Sequence, residues 1–358
     1  MRKRLRPLIV LLPLACGDRP GDEEAAAGTT TAAGTTATGP ADSGEPPDPT
    51  TTAGEAGADV SSGAPDPTTP PGETGGDETG GDDTGPPAAC PGAPLGPGDH
   101  DLEIPHATGM RTAILHVPPG LDPQVPAPLI FNFHGYTMTA AGEVTFSGMN
   151  ALADAEGVLV VYPQGLGNSW NAGACCGDSA AGDVDDVGFV RALHAELAAR
   201  VCVDTKRVYS TGMSNGGFLS NRLACEAADI FAAVGPVSAV NGMATCAPSR
   251  PIPVIAFNGT NDLLVAYDGL LYQSVADSFA AWGARNGCTG EPVPGTTQGS
   301  ASCMVYEDCA DGVLVTQCTL EGMGHCWPGN PSCVYGTPDT DLDANSEMWA
   351  FFQQFSLP

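Results

Sequence analysis

A series of short apolar runs, each closed by turn residues, restricts the fold of this chain more than any other feature. The runs are APLIFNFHG (127–135), GVLVVYPQG (157–165), KRVYSTGMS (206–214), FAAVGPVSA (231–239), PIPVIAFNG (251–259) and VLVTQCTLEG (313–322). Uninterrupted apolar runs of this length are typical of central parallel strands, which are buried on both faces. The runs therefore predict a sheet at the centre of the molecule.

Segments with the apolar spacing of helices lie between these runs, near 140–155, 185–200, 216–228 and 272–286. A last segment, ANSEMWAFFQQF (344–355), predicts a closing helix with Asp343 as its N-cap. Strands that alternate with helices form a mostly parallel sheet with helices on both faces. The sequence therefore predicts an α/β fold, and residues 90–358 are enough for one large domain.

The first residues have the layout of a secretory signal peptide over residues 1–16. In MRKRLRPLIVLLPLAC, basic residues precede an apolar run that is too short to cross a bilayer. Its end resembles a bacterial lipoprotein signal, in which the cysteine is acylated, although Pro13 departs from that pattern. We therefore expect Cys16 to carry a lipid, with cleavage and secretion as the alternative. Either outcome predicts a protein outside the cytoplasm, free or anchored at the bacterial cell surface or outer membrane.

Residues 17–89 have the composition of a disordered linker. They consist mainly of Thr, Gly, Ala, Pro, Asp and Glu, and they contain no aromatic residue. Such a segment cannot bury enough apolar area to offset the entropy of ordering. It is expected to be a flexible acidic tether. No apolar run long enough for a membrane-spanning helix follows it.

Charge and cysteine content narrow the class of protein further. The formal net charge is −29, and both the linker and the domain are acidic, which excludes a nucleic-acid partner.

Thirteen cysteines occur, and twelve of them lie from Cys90 onward. An even, dense set in an exported chain predicts disulfides rather than zinc ligands, with the pairing left open. The adjacent Cys175 and Cys176 are expected to anchor a glycine-rich loop through disulfides.

The segment TGMSNGGFLS (211–220) contains a candidate nucleophile. Ser214 follows a predicted buried strand and opens a predicted helix, which is the context of a G-x-S-x-G nucleophile elbow. Such a turn needs residues without bulk, because the strand and the helix approach closely there, and Gly212 and Gly216 meet that need. A glycine-lined turn with a capping serine is the alternative.

The order of residues after Ser214 supplies the two partners that such a serine requires. His325 is the only histidine after Ser214 in the chain, and it lies in a glycine-rich segment, GMGHCWPG. Asp262 follows the predicted strand of PIPVIAFNGTND, and Asp268 is the second candidate for the acid. In the order Ser, acid, His, the histidine takes the serine proton while the carboxylate fixes its tautomer.

A nucleophilic serine of this kind also needs two hydrogen-bond donors for the oxyanion. We expect the backbone N–H of Asn215, directly after the nucleophile, to be one of them. The second is expected from HGYTM, at the end of an early strand, as the backbone N–H of Tyr136. His134 is expected to orient this loop rather than to react.

Five segments together resemble a known family. GMSNGGF, the HG of HGYTM, GTND followed by AYDG, GHCWPG, and SWNAGACCGDSAAGDVDDVGFVRAL are similar to secreted feruloyl esterases and polyhydroxybutyrate-depolymerase-like esterases, close to the family-one carbohydrate esterases. The resemblance covers residues 100–356. It implies an α/β-hydrolase fold, with Ser214 as nucleophile, Asp262 as acid and His325 as base. Asn258 and Ala266 replace a His and a Pro common in the family, and Cys326 replaces a Thr.

Other residues have two interpretations each. Trp170 and Trp327 are candidates for stacking on an aromatic acyl group or a sugar, and packing is the alternative. Three acids, Asp183, Asp185 and Asp186, resemble a calcium site, with helix capping as the favoured alternative. The acids at 339, 341 and 343 lack the glycine and glutamate of a calcium loop. We expect no metal and no cofactor.

These observations favour an exported serine esterase that works through an acyl-enzyme. Its expected substrates are hydroxycinnamoyl or related acyl esters of plant polysaccharide such as xylan, and a monomer is expected. A polyhydroxybutyrate or related polyester depolymerase is the alternative within the same chemistry. A surface binding protein without activity is an alternative of another class. A peptidase is a third, since the triad does not distinguish esters from amides.

Overall fold

The computed structural model describes residues 90–358. The expected signal peptide (1–16), the lipid site at Cys16 and the linker (17–89) lie outside the described residues. Ten strands form one sheet and two short strands form a second. The twelve strands are β1 Gly98–His106, β2 Gly109–Val117, β3 Ala127–Phe133, β4 Leu159–Pro163, β5 Val203–Met213, β6 Ala233–Val237, β7 Val254–Gly259, β8 Val293–Gln298, β9 Ala301–Tyr306, β10 Val315–Leu320, β11 His325–Cys326 and β12 Cys333–Tyr335.

Seven α-helices connect or follow these strands. They are α1 Ala140–Ser147, α2 Met149–Glu156, α3 Gly177–Ala181, α4 Asp186–Arg200, α5 Asn215–Glu226, α6 Val275–Arg285 and α7 Ala344–Phe352. The closing helix α7 is capped as expected, because the Asp343 carboxylate accepts a hydrogen bond from the Ser346 N–H over 2.7 Å. The helix predicted over 140–155 is two helices, because Gly148 interrupts it with a φ of 61°.

The large sheet has the strand order β1-β2-β4-β3-β5-β6-β7-β10-β9-β8. The six central strands, from β4 to β10, pair in parallel. Each of them overlaps one of the six apolar runs that predicted it. Parallel pairing places the carboxyl ends of all six strands along one edge of the sheet, which is where ligands bind in open sheets of this kind.

Both faces of the sheet are covered by helices, as the alternating pattern predicted. In β3, Leu129, Phe131 and Phe133 join one apolar cluster, whereas Ile130 joins the other. The first cluster includes residues of α4, α5 and α6, and the second includes residues of α2 and α7. Successive side chains of a strand point to opposite faces, so each run contributes to both cores. The predicted α/β architecture is confirmed.

The two edges of the sheet were not predicted. On one side β1 and β2 add an antiparallel hairpin to β4, and on the other β9 and β8 pair antiparallel to β10. All six residues of β8 are exposed, so this strand carries no apolar signal. Strands with only one covered face, or none, lack the uninterrupted apolar run by which the central strands were found.

All twelve described cysteines form disulfides, which confirms that prediction. The pairs are Cys90–Cys202, Cys175–Cys176, Cys225–Cys246, Cys288–Cys309, Cys303–Cys318 and Cys326–Cys333. One expectation was wrong: Cys175 and Cys176 bond to each other, so neither ties the loop to a distant segment. Among the residues that the structure describes, no helix is both long enough and apolar enough to cross a bilayer.

Candidate active site

Ser214 occupies a sharp turn between strand β5 and helix α5. Its backbone has φ 54° and ψ −118°, a conformation that residues other than glycine rarely adopt. The turn brings the helix against strand β3. A Cβ at Gly212 would lie 2.5 Å from the Phe133 carbonyl oxygen, and one at Gly216 would overlap the same atom. Ser214 is half-buried while its neighbours in the turn are buried, so the close packing leaves this side chain accessible.

Asp262 and His325 form a buried pair at the same edge of the sheet. Asp262 lies just beyond β7, and its Oδ2 is 2.7 Å from Nδ1 of His325. The other oxygen, Oδ1, accepts hydrogen bonds from the N–H groups of Leu264 at 2.8 Å and Val265 at 2.9 Å. Asp262 is 3% exposed and His325 2%. With Nδ1–H donated to the carboxylate, Nε2 is the nitrogen of His325 that can accept a proton.

The second candidate acid, Asp268, is exposed and makes no contact with His325 among the described hydrogen bonds and ion pairs. Asp229, which ends the segment after the serine, forms an ion pair with Arg191 over 2.7 Å. The structure therefore distinguishes Asp262 from the other acids that lie between Ser214 and His325.

Ser238 links the serine turn to the histidine turn, and the sequence did not indicate it. The Ser214 N–H donates to the Val237 carbonyl over 2.9 Å, at the end of the neighbouring strand β6. The next residue, Ser238, is fully buried with a φ of 48°, and its hydroxyl donates to the Cys326 carbonyl over 3.1 Å. The His325 turn is thereby held to the strand beside the one that carries Ser214. The Cys326–Cys333 disulfide closes this turn from its other side.

The loop expected to carry an oxyanion donor lies directly beside Ser214. A Cβ at Gly135 would lie 3.6 Å from the Cβ of Ser214. The Met138 N–H donates to the Gly135 carbonyl over 3.1 Å, so Tyr136 and Thr137 occupy the centre of a tight turn. That turn does not use the Tyr136 N–H. The Asn215 N–H is likewise unused by its helix, because Asn215 is the first residue of α5.

His134 orients this turn, as expected. Its Nε2 accepts a hydrogen bond from the Gly165 N–H over 3.0 Å, so its Nδ1–H donates to the Gly135 carbonyl over 2.8 Å. The ring is fully buried. Burial lowers the pKa of His134 to about 4, and the positive charge of Arg111 lowers it further, against the raising effect of the Gly135 hydrogen bond. His134 is therefore neutral at physiological pH.

A buried ion pair supports the loop behind His134. The Arg111 Nη2 donates to Asp186 Oδ1 over 2.9 Å, and the guanidinium carbon lies 4.0 Å from the centre of the Phe189 ring. Asp186 Oδ2 accepts from the Asn171 N–H over 2.7 Å. Burial raises the pKa of Asp186, although Asn171 and Arg111 act against that shift. Arg111 lies in β2, an antiparallel strand that the sequence did not reveal, so this pair could not be foreseen.

Trp170 and Trp327 offer almost no surface to a substrate here. Trp170 is fully buried and Trp327 is 1% exposed. The Trp170 indole donates to the His134 carbonyl over 3.0 Å, and the Trp327 indole donates to Asn345 Oδ1 over 3.1 Å. Of the two interpretations left open by the sequence, this geometry fits packing.

The side chain of Asn215 has a role that the sequence did not predict. It is fully buried, accepts from the Trp170 N–H over 2.7 Å and donates to the Trp170 carbonyl over 3.0 Å. This pair of hydrogen bonds ties the residue after Ser214 to the loop before Cys175.

The acids that resembled a calcium site have separate partners. Asp185 caps helix α4 by accepting from the Gly188 N–H over 2.8 Å, and Asp183 accepts from the Asn171 side chain over 3.1 Å. Asp186 is paired with Arg111 as described above. Within residues 90–358, no group of three or more His, Cys, Asp or Glu side chains is arranged to hold a metal ion.

A cleft between the α1–α2 junction and the segment after His325 does not contain Ser214, Asp262 or Tyr136. Its lining residues include Phe146, Trp327, Pro328 and Asn330. The chemistry that the arrangement allows lies elsewhere, at the carboxyl edge of β5, β7 and β10. A serine beside two backbone N–H groups that donate to no acceptor within residues 90–358, next to strands that end in an Asp–His pair, can carry out acyl transfer.

Comparisons with known proteins agree with this fold and chemistry. A family model described as esterase PHB depolymerase matches residues 112–261. Feruloyl esterase B of Piromyces equi is 35% identical over 269 residues, which cover 69% of this chain and 46% of that protein. A protein of Nocardia uniformis subsp. tsuyamanensis named as an esterase, NocK, is 34% identical over 271 residues, which cover 67% of this chain and 78% of that protein. The chain thus spans about half the length of the Piromyces relative.

Among solved structures, an acetyl xylan esterase from Aspergillus awamori matches with a TM-score of 0.50 at 17% identity, over 71% of this chain and 99% of that one. This likeness concerns the fold alone, which is that of the α/β-hydrolases. The expected fold class is thereby confirmed.

The environment of His134 predicts a dependence of stability on pH. In the unfolded chain, His134 takes up a proton at about pH 6.5, whereas in the folded chain it stays neutral down to about pH 4. Acidification across this range therefore favours unfolding. From about pH 7 to about pH 5, His134 should cost about 2 kcal/mol of unfolding free energy. Urea denaturation of the parent and of His134→Gln at both values measures this. The variant should lose about 2 kcal/mol less than the parent, and equal losses would contradict the assignment.

Proposed function

Because the chain belongs to the family of esterases that includes feruloyl esterases and polyhydroxybutyrate depolymerases, we propose that it is a serine esterase with Ser214, His325 and Asp262 as its catalytic residues. One observation carries this proposal. The buried Asp262–His325 hydrogen bond of 2.7 Å lies at the same sheet edge as Ser214, which is half-buried in a turn of buried residues. A serine reacts with esters only when a neighbouring base takes its proton, and His325 is the base at this edge.

The proposed reaction has two steps. In the first, Ser214 Oγ attacks the ester carbonyl as Nε2 of His325 takes its proton, and the imidazolium then protonates the departing alcohol. In the second, His325 takes a proton from water as the water oxygen attacks the acyl carbonyl, and the imidazolium then returns that proton to Ser214 Oγ as the acid leaves. Asp262 accepts the Nδ1–H of His325 throughout and stabilises the imidazolium. The N–H groups of Tyr136 and Asn215 hold the negative charge on the carbonyl oxygen in both steps.

We propose that the acyl group is a hydroxycinnamate or a related acid esterified to a plant polysaccharide such as xylan. The similarity to feruloyl esterase B of Piromyces equi supports this substrate class. The match to a family model described as esterase PHB depolymerase supports a second candidate, an aliphatic hydroxyalkanoate polyester. Both substrates pass through the same acyl-enzyme chemistry.

We also propose that the protein works outside the cytoplasm, in keeping with the six disulfides of residues 90–358. An acylated Cys16 would hold it at a bacterial membrane. Mass spectrometry of the mature protein should then find an N-terminus at Cys16 with the mass of attached lipid. A mature chain that begins at another residue, or at an unmodified Cys16, would contradict the anchor.

Replacement of the nucleophile provides the direct test of the proposed activity. Ser214→Ala should lower kcat for p-nitrophenyl acetate by at least about 10³-fold, because no other group can form the acyl-enzyme. Ser302→Ala, which changes an exposed serine of strand β9, is the matched control and should keep the parent rate. Equal hydrolysis by the parent and by Ser214→Ala would favour a binding protein that only shares the fold.

The two substrate candidates predict different products. We expect the enzyme to release ferulate from methyl ferulate and from feruloylated xylan, which chromatography of the products measures. We expect it to leave a polyhydroxybutyrate emulsion turbid. Ser214→Ala, assayed in parallel, removes any contribution from a contaminating esterase. Clearing of the emulsion without release of ferulate would replace the first substrate class by the second.

A further inference from the structure

The bonded pair Cys175–Cys176 lies beside both residues whose N–H groups are proposed to hold the oxyanion. Cys175 is 2% exposed and Cys176 is half-buried. The loop that contains them is connected neither to a distant strand nor to another loop by a disulfide. The loop contacts Asn215 and Tyr136 instead.

The contact with Asn215 passes through the buried amide of its side chain. The amide nitrogen, Nδ2, donates toward the sulfur of Cys175 over 3.7 Å. The same side chain is bound to the N–H and the carbonyl of Trp170. Cys176 in turn donates its N–H to the Trp170 carbonyl over 3.3 Å. Asn215, Trp170 and the cysteine pair thus form one connected unit directly behind Ser214.

The contact with Tyr136 passes through the residue that follows the cysteine pair. Gly177 has a φ of 62°, and a Cβ there would lie 2.5 Å from Cε2 of the Tyr136 ring. The ring therefore rests against the backbone of Gly177. Ser169 also fixes that backbone, because its hydroxyl donates to the Cys176 carbonyl over 2.7 Å. A shift of Cys176 would move the surface on which Tyr136 lies.

A disulfide between adjacent residues contributes little to global stability through chain entropy. That contribution grows with the length of the loop that the bond closes. The cysteines of Cys90–Cys202 are separated by 112 positions, and those of Cys175–Cys176 by 1. What a bond between neighbours does restrict is local: the two side chains and the peptide between them lose their rotational freedom. Its effect should appear in the residues that it touches.

We propose that the Cys175–Cys176 disulfide is a positioning element for the oxyanion pocket. It fixes the backbone of residues 175–177, and through Asn215 and Tyr136 it holds the two N–H donors at the spacing that the transition state requires. Donors of this kind act on charge that develops only during the reaction, so their misplacement lowers kcat more than it weakens substrate binding. The inference rests on the proposed function, since it assigns these two donors.

The first test removes the bond by Cys175→Ser together with Cys176→Ser. We expect kcat for methyl ferulate to fall by about tenfold to a hundredfold, with KM changed less than about threefold. Hydrogen exchange should accelerate in peptides that contain Tyr136 and Asn215. The matched control, Cys288→Ser with Cys309→Ser, opens a disulfide whose cysteines are 21 positions apart. It should lower the melting temperature and leave kcat and those two exchange rates at the parent values.

The second test uses the parent protein and does not depend on the folding of a variant. Dithiothreitol is added in small steps: the bond between the sulfurs breaks, each sulfur gains an electron and a proton, and the reagent is oxidised to its cyclic disulfide. Free thiols are alkylated and assigned by mass spectrometry. Loss of activity should follow alkylation of Cys175 and Cys176. Activity that persists when this pair is fully alkylated would overturn the proposal.

Hydrogen exchange separates this proposal from the proposed function. If the parent hydrolyses no ester, the proposed function fails and with it the catalytic purpose of the two donors, while faster exchange at Tyr136 and Asn215 in the double variant still shows that the disulfide orders these two residues. A folded double variant with the parent kcat and the parent exchange rates overturns the positioning role and leaves the proposed esterase activity intact.

Discussion

The site depends on how closely helix α5 approaches strand β3. Gly212 and Gly216 leave so little room that any Cβ would meet the Phe133 carbonyl. That contact allows the chain to reverse within one residue, and Ser214 takes the left-handed φ that the reversal demands. The same approach brings the turn after β3, which contains Gly135, beside the serine. A single substitution of either glycine by a larger residue would separate the candidate nucleophile from the candidate oxyanion donors.

Around this contact, neighbouring strand ends are joined by hydrogen bonds rather than by one rigid element. The bonds run from the Ser214 N–H to β6, and from Ser238 to the turn that holds His325. Behind them, neutral His134 and the Arg111–Asp186 pair support the loop that carries Trp170. Ser214 is half-buried, whereas the groups that support its surroundings, His134 and the Arg111–Asp186 pair, are buried. Such an arrangement keeps a reactive turn in place although its backbone is strained.

Much of the fold and part of the candidate site could be predicted from the sequence, because their signals lie in short stretches of the chain. The central strands, the Ser214 turn and the choice of Asp262 and His325 follow from apolar runs and from the order of residues along the chain. The supporting contacts do not, because Arg111 and Asp186, or Ser238 and Cys326, are far apart in sequence and meet only in the folded sheet. The pairing of Cys175 with Cys176 was misjudged for a related reason: the sequence does not show which cysteines lack a distant partner.

The edges of the sheet have a consequence for the protein at high concentration. An open sheet presents unpaired N–H and C=O groups at its first and last strands, and those groups can recruit another chain. At one edge, β1 exposes Asp101 and Glu103 and contains Pro105, which has no N–H to donate. At the other, β8 is polar and includes Pro294. Two copies that met along β1 would place carboxylates side by side, so this edge resists the strand exchange that begins aggregation.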